Sequence, residues 1–213
     1  MSDRRPAAQK PAALTGKKAI WKGGTLLSPV PAVIVTCSEG EQVNAVTVAW
    51  TGIVCSQPPM TYISLRPERH SYGMIRRTGE FVINLPAANT VRELDLCGVK
   101  SGRDQNKIDL CGFHLQPGAE VSVPLLAEAP LALECKVTQV LELGSHDLFL
   151  AQIVAVRPDE SLIDGAGRLC VEKAGLVAYA HGTYYSLGKP LGTFGFSVRK
   201  KRRRPTTRKK KGE

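Results

Sequence analysis

Short runs in which apolar and polar residues alternate dominate the chain, and a period of two marks strands with one face packed. PAVIVTC (31–37), QVNAVTVAW (42–50) and MTYISLR (60–66) are rich in β-branched residues. Turn-forming pieces such as SEGE and SQPP separate them. EFVINLP (80–86) alternates and stops at a Pro, which predicts a further strand. Between these, HSYGMIRRTG (70–79) shifts to helical character and closes on a Gly, the usual residue just past a helix C terminus. NTVRELDLCG (89–98) predicts a second short helix, with Asn89 and Thr90 as cap candidates and Gly98 as its stop. Two longer alternating runs follow, LALECKVTQVLEL (131–143) and HDLFLAQIVAVRP (146–158). Only Gly144 and Ser145 lie between them, a Gly-first loop of the kind that closes a tight hairpin. A long hairpin, several short strands and few helices predict a mainly β domain, a closed or nearly closed antiparallel barrel.

Composition narrows this picture. The chain has 213 residues, 43% of them hydrophobic, enough for one domain with a sizeable core. Its longest apolar runs, such as VPAVIVTC, fall well short of the roughly 20 residues that cross a bilayer. The N-terminal MSDRRPAAQKPAAL lacks the apolar stretch of a secretory signal, so a cytoplasmic location and no membrane partner are expected. The net charge of +10 suggests a nucleic-acid partner until it is located. Arg199–Lys211, RKKRRRPTTRKKK, holds 10 of the 29 basic residues; without it and Glu213, 19 bases face 18 acids. The rest of the chain is therefore nearly neutral, and a body (19–198) is expected between a flexible lead-in (1–18) and a solvated basic tail (199–213). Such a tail could hold phosphate backbones non-specifically, but no aromatic residue interleaves its cations to stack on bases. Six cysteines, at 37, 55, 97, 111, 135 and 170, form no CxxC and no close Cys/His pair. A zinc site is not expected; reduced thiols are.

The candidate chemistry gathers around NAVTVAWTG (44–52), which ends a strand pattern with an indole, a hydroxyl and a glycine in succession. A turn needs only the glycine. Antiparallel pairing with the following strand would bring Trp50, Thr51 and Gly52 near Ser64, Arg66 and Ser71. A guanidinium, hydroxyls and free backbone N–H groups make a plausible phosphate cradle. His70 and Ser71 would begin a helix, where unsatisfied N–H groups favour an anion. The plain alternative is that Ser71 caps that helix and Arg66 is a surface charge. His146, at the hairpin turn, is either an exposed loop residue or a proton donor. Neither a Walker loop nor GxGxxG is present, which argues against a Rossmann domain.

Taken in order, NAVTVAWTG, PPMTYISLRPERHSYGMI, GEFVINLP, SGRDQNKIDLCGF, GSHDLFLAQIVAV and AYAHGTYYSLGKPLGTFGFSV resemble the flavin reductase-like family, most of all its flavoredoxin-type branch. The resemblance implies an FMN-binding split barrel: six antiparallel strands in Greek-key order with a few short peripheral helices. It further implies a homodimer with FMN near the subunit interface. By position, Asn44, Ala45 and Thr47 would lie along the isoalloxazine, largely through backbone groups, while Trp50, Thr51, Ser64, Arg66 and Ser71 would hold the ribityl phosphate. Lys107 and Tyr185 would stand near the cofactor, with His146 by the flavin or the incoming donor. Two activities are compatible with it. One is an NAD(P)H-dependent reductase passing electrons to a flavin, a metal complex or a protein. The other is an FMN electron carrier fed by a redox partner.

Overall fold

A computed structural model describes residues 11–199; the start of the expected lead-in and residues 200–213 of the expected tail lie outside them. Residues 11–29 are exposed and carry no helix or strand. The strands are β1 (Val30–Pro31), β2 (Val33–Glu39), β3 (Gln42–Val48), β4 (Thr51–Ser56), β5 (Pro59–Leu65) and β6 (Glu80–Leu85). They continue as β7 (Leu115–Gln116), β8 (Leu125–Leu126), β9 (Leu131–Glu142), β10 (Asp147–Pro158), β11 (Val177–Ala180) and β12 (Thr183–Ser186). Three α-helices accompany them: α1 (His70–Thr78), α2 (Val91–Val99) and α3 (Lys107–Cys111).

Seven strands form one antiparallel sheet in the order β3-β2-β6-β9-β10-β5-β4. It curls so that β3, at one end, approaches β5 near the other, and where the chain passes from β3 into β4 the Ser64 N–H donates to the Trp50 carbonyl at 3.0 Å. The sheet thereby curls around one interior. Val35 and Val46, Ile63, Phe81, Cys135 and Phe149 fill it from six strands, and Met74 and Ile75 of α1 close it. Each fully buried aromatic or aliphatic side chain here contributes about 1.5–3 kcal/mol. The expected six-stranded split barrel is present, with β4 as a seventh, edge strand outside the interior. That strand was not predicted: between the runs 42–50 and 60–66 only the turn-forming SQPP (56–59) was read. The chain only bends at Ala49–Trp50 before pairing again, and Ile53 and Val54 on this edge are exposed.

β2 is buried on both faces because a second core lies outside the barrel, where Ile34 and Ala45 pack against Leu94 and Cys97 of α2 and Ile108 of α3. Two helix expectations change. Helix α1 stops as expected at Gly79, which takes the left-handed conformation at φ 70°. Helix α2, by contrast, runs through Gly98 to Val99. Gly98 serves packing instead: a Cβ there would stand 3.2 Å from the Thr47 Cβ, so its absence lets the helix lie against β3. Thr90 does not cap α2 through its side chain but bonds back to the Ala87 carbonyl. The β9–β10 hairpin turns on Gly144 and Ser145 as expected, with Gly144 at φ 102° and the Leu143 N–H donating to the His146 carbonyl at 3.1 Å. Far from the tip, the fully buried Glu134 carboxylate accepts from the N–H groups of Ala119, Glu120 and Val121 and from Arg157 at 2.9 Å. This wraps the 119–121 segment onto the barrel wall.

Candidate functional site

The ends of β3 and β5, the start of α1, the last turn of α2 and the tip of the β9–β10 hairpin converge on one cleft. It has two halves that share Val46, Arg66 and Arg69. The first encloses about 250 Å³ and is walled by Thr47, Trp50, Ser64, His146, Tyr179 and Tyr184. The Trp50 and His146 rings lie 4.4 Å apart at 40°, and Tyr179 and Tyr184 lie 5.3 Å apart. This half offers flat, partly apolar walls. The second encloses about 500 Å³ and carries the side chains of Asn44, Ser71, Lys100, Arg103 and Lys107.

The second half is cationic in an unusual manner. Arg69 donates to the Gly98 carbonyl at 2.9 Å and Arg103 to the Glu68 carbonyl at 2.9 Å. Lys107, only 3% exposed, donates to the Cys97 and Lys100 carbonyls at 3.0 and 3.3 Å. Neutral carbonyls fix these cations in place without cancelling their charge. Among the described residues, none of Arg66, Arg69, Lys100, Arg103 and Lys107 forms an ion pair, although Glu68 lines the same half. Burial holds the Lys107 ammonium below its usual range, and it retains a third N–H for a ligand. No side chain caps the N terminus of α1, which opens on the same space and adds unsatisfied N–H groups. Burial, then the charges of Arg103, Lys107 and Arg77, lower the His70 pKa, and burial and Arg66 lower that of His146. Both shifts favour the neutral ring. An anionic group in the second half and a flat ring in the first would satisfy this arrangement.

The sequence-predicted residues divide on inspection. Thr47, Trp50, Ser64 and His146 line the first half, Asn44, Ser71 and Lys107 the second, and Arg66 both. Asn44 Nδ2 donates to Ser71 Oγ at 2.8 Å, so Ser71 is held under the cleft and does not cap the helix. Three residues stand elsewhere. The Ala45 side chain faces the outer core with α2, since alternation along β3 turns it away from those of Asn44 and Val46, so only its backbone could serve a ligand. The Thr51 hydroxyl is spent within the sheet, donating to the Tyr62 carbonyl at 2.5 Å. Tyr185 is 53% exposed beyond the cleft; its neighbour Tyr184, on the opposite face of β12, lines it. Arg69, Arg103 and Tyr179 were not singled out from sequence, and Gly98 only as a helix stop. Arg69 and Arg103 lie within PPMTYISLRPERHSYGMI and SGRDQNKIDLCGF, where repeated basic residues were the available signal.

Against known proteins, residues 26–188 match the family described as "Flavin reductase like domain". The fold superposes on the flavoredoxin of Desulfovibrio vulgaris (Miyazaki F) with a TM-score of 0.79 and 31% identity, covering 86% of this chain and all of that one. An FMN-binding protein from Thermus thermophilus gives a TM-score of 0.72 at 26% identity, over 83% of this chain and 99% of its own. In sequence, an NADPH-flavin oxidoreductase of Streptomyces viridifaciens is 27% identical over 149 residues, 69% of this chain and 71% of the relative. With a matching domain over most of its length, a split-barrel fold and flavoredoxins among its structural neighbours, the chain belongs to the flavin reductase-like family.

Proposed function

We propose that this protein binds FMN in the two-part cleft and works as an oxidoreductase, taking reducing equivalents from NADH or NADPH and passing them to a flavin, a metal complex or another protein. The observation that carries this reading is the pairing of an aromatic half with a half whose cations are tethered to carbonyls. The ligand it suits has a flat ring at one end and a dianion at the other. The FMN phosphate would be held by Arg66, Ser71, Lys107 and Arg103, and its ring would lie against Thr47, Trp50 and the two tyrosines. This redistributes the roles expected from the family pattern, since Trp50 and Ser64 stand on the ring side and Asn44 on the phosphate side. Bound there, FMN supplies the ability to accept a hydride and to release electrons singly or in pairs. The protein's part is position and field. Trp50 and His146 shield one end of the cleft from water, and the neutral imidazole of His146 can donate one N–H. Fixed positive charge favours a reduced, anionic ring over the oxidised one.

We further propose a homodimer. The β4 edge, with Ile53 and Val54 exposed at 68% and 51% beside Trp50, offers an unpaired apolar border to a second copy. The competing reading is an FMN electron carrier without its own NAD(P)H site, which the likeness to a flavoredoxin favours. Anaerobic mixing separates the two. Bleaching of the bound yellow chromophore by NADH or NADPH supports the reductase; bleaching by dithionite alone supports the carrier. A colourless protein that takes up no added FMN refutes both. Among the described residues no helix is long and apolar enough to cross a membrane. For the basic residues beyond 199, a heparin column comparing the full chain with one truncated at 199 decides whether they bind polyanions.

A further inference from the structure

The last turn of α2 and the last residue of α3 bring two of the free thiols together. Cys97 Sγ and Cys111 Sγ stand 3.8 Å apart, in van der Waals contact. Cys97 is fully buried and Cys111 partly exposed. Bond formation requires closing this gap to about 2.05 Å. Helix α3 is suited to move: it has five residues, between the Asn106 cap and Gly112 in the left-handed conformation. The other four cysteines have no such neighbour. Cys37 contacts a methionine sulfur, and Cys55, Cys135 and Cys170 have no cysteine partner. What the pair joins matters. Helix α3 begins with Lys107, whose ammonium sits on the carbonyls of Cys97 and Lys100, and α2 presents Gly98 to the cleft.

We propose that Cys97 and Cys111 form a reversible disulfide on exposure to a peroxide, bolting α3 to α2 and fixing Lys107 in the wall of the cleft. In the first step the more accessible Cys111 thiolate attacks the peroxide. An S–O bond forms, the O–O bond breaks, and hydrogen peroxide leaves one oxygen as water, giving a sulfenic acid. Cys97 then attacks that sulfur, the S–S bond forms, the S–O bond breaks and a second water departs with the Cys97 proton. Two thiols are oxidised by two electrons in all, and one peroxide is reduced to two waters. A dithiol reverses the bond by exchange. Burial pushes the Cys97 thiol up to about 12 and raises that of Cys111, so the reaction is slow at neutral pH and quickens as pH rises.

The test treats the full-length protein with hydrogen peroxide, blocks remaining thiols and maps peptides by mass spectrometry. A 97–111 linked peptide is expected, removed by dithiothreitol, absent from Cys111→Ser, and formed faster at about pH 9 than at about pH 7. Slower hydrogen exchange of amides 107–113 in the oxidised form is expected to accompany it. Linkage between other cysteines, or Cys111 driven to sulfinic acid while Cys97 stays a thiol, overturns the proposal. The wild-type map decides this even if the variant fails to fold. Unchanged exchange at 107–113 overturns the bolting of α3. The consequence at the cleft rests on the FMN reading, and FMN is expected to leave the oxidised protein at least about threefold more slowly. Unchanged release overturns that consequence, whereas failure to bind FMN at all removes the functional reading and leaves the peptide map to decide the bond.

Discussion

Replacing Gly102 by Ala tests whether the 100–106 loop is seated on Asn44 as the structure shows. A Cβ at Gly102 would stand 2.3 Å from Asn44 Oδ1, 2.7 Å from its Cγ and 2.8 Å from its Nδ2. Those separations are too short to survive, so the carboxamide or the loop must give way. Asn44 is 4% exposed and holds the fully buried Ser71 hydroxyl at 2.8 Å. Turning it aside would strand that hydroxyl, a loss of about 1 kcal/mol beyond the about 1–3 kcal/mol of ordinary overpacking. Retreat of the loop costs less, because Lys100 and 103–106 are exposed. The expected loss of stability is therefore about 1–2 kcal/mol. The loop carries Lys100 and Arg103 away with it, and FMN affinity should fall about tenfold, equivalent to about 1.4 kcal/mol. Urea unfolding measures the first quantity and quenching of flavin fluorescence the second. In an Asn44→Ala background the added methyl has room. The double mutant should recover at least about 1 kcal/mol relative to the sum of the single changes. Additive effects, or a Gly102→Ala protein identical to wild type in both assays, would refute the reasoning.

Other expectations are briefer. Arg66→Ala should weaken FMN binding by about 1.5 kcal/mol, the low end for a charge-assisted contact because the side chain is exposed; an unchanged dissociation constant by titration counts against the cradle. His146→Ala should slow anaerobic flavin reduction by more than it raises the FMN dissociation constant, and equal changes in the two would return the residue to a packing role beside Trp50. Glu134→Ala should cost about 3 kcal/mol in chemical unfolding, since it frees three backbone N–H groups and leaves Arg157 unpaired at a half-exposed site. Burial opposes ionisation of Glu134, yet its hydrogen bonds and Arg157 hold its pKa below the ordinary carboxylate value. The stability it confers is thus complete above about pH 4.3, the unfolded-state value, and lost as pH falls through the folded pKa. His70 and His146 act in the same direction at higher pH. Their lowered pKa values mean the unfolded chain binds more protons below about 6.5, so stability should decline on acidification from there. Unfolding midpoints that do not move between about pH 7 and about pH 3 would contradict both assignments.

Alternation made the interior strands legible, and Gly79 and the Gly144–Ser145 turn were legible because positive φ demands glycine there. Strand β4 escaped because it is an edge. Ile53 and Val54 are both exposed, so no period of two marks it, and Thr51–Gly52 resembles the end of the preceding strand. Gly98 misled for a related reason. A glycine that permits close packing and one that ends a helix look alike in sequence, and only the proximity of Thr47 distinguishes them. Helix α3, with five residues, is too short to show a period. The cleft was partly legible through its hydroxyls and Arg66. Which of two adjacent residues faces it on β12 depends on strand parity, and parity set Tyr184 against Tyr185. Carbonyl tethering of Arg69 and Arg103 joins segments distant in sequence, and no local pattern announces it.

That tethering has a kinetic consequence. A guanidinium held by a carboxylate presents almost no net field at a distance, whereas one held by a carbonyl projects its full charge through the mouth of the cleft. Dianions should then be drawn in from beyond contact range, and their capture should slow steeply as added salt shortens the screening length to about 8 Å at physiological ionic strength. Escape, governed by short-range contacts, should respond far less. Salt would therefore act on how quickly the cleft fills and leave residence time nearly unchanged.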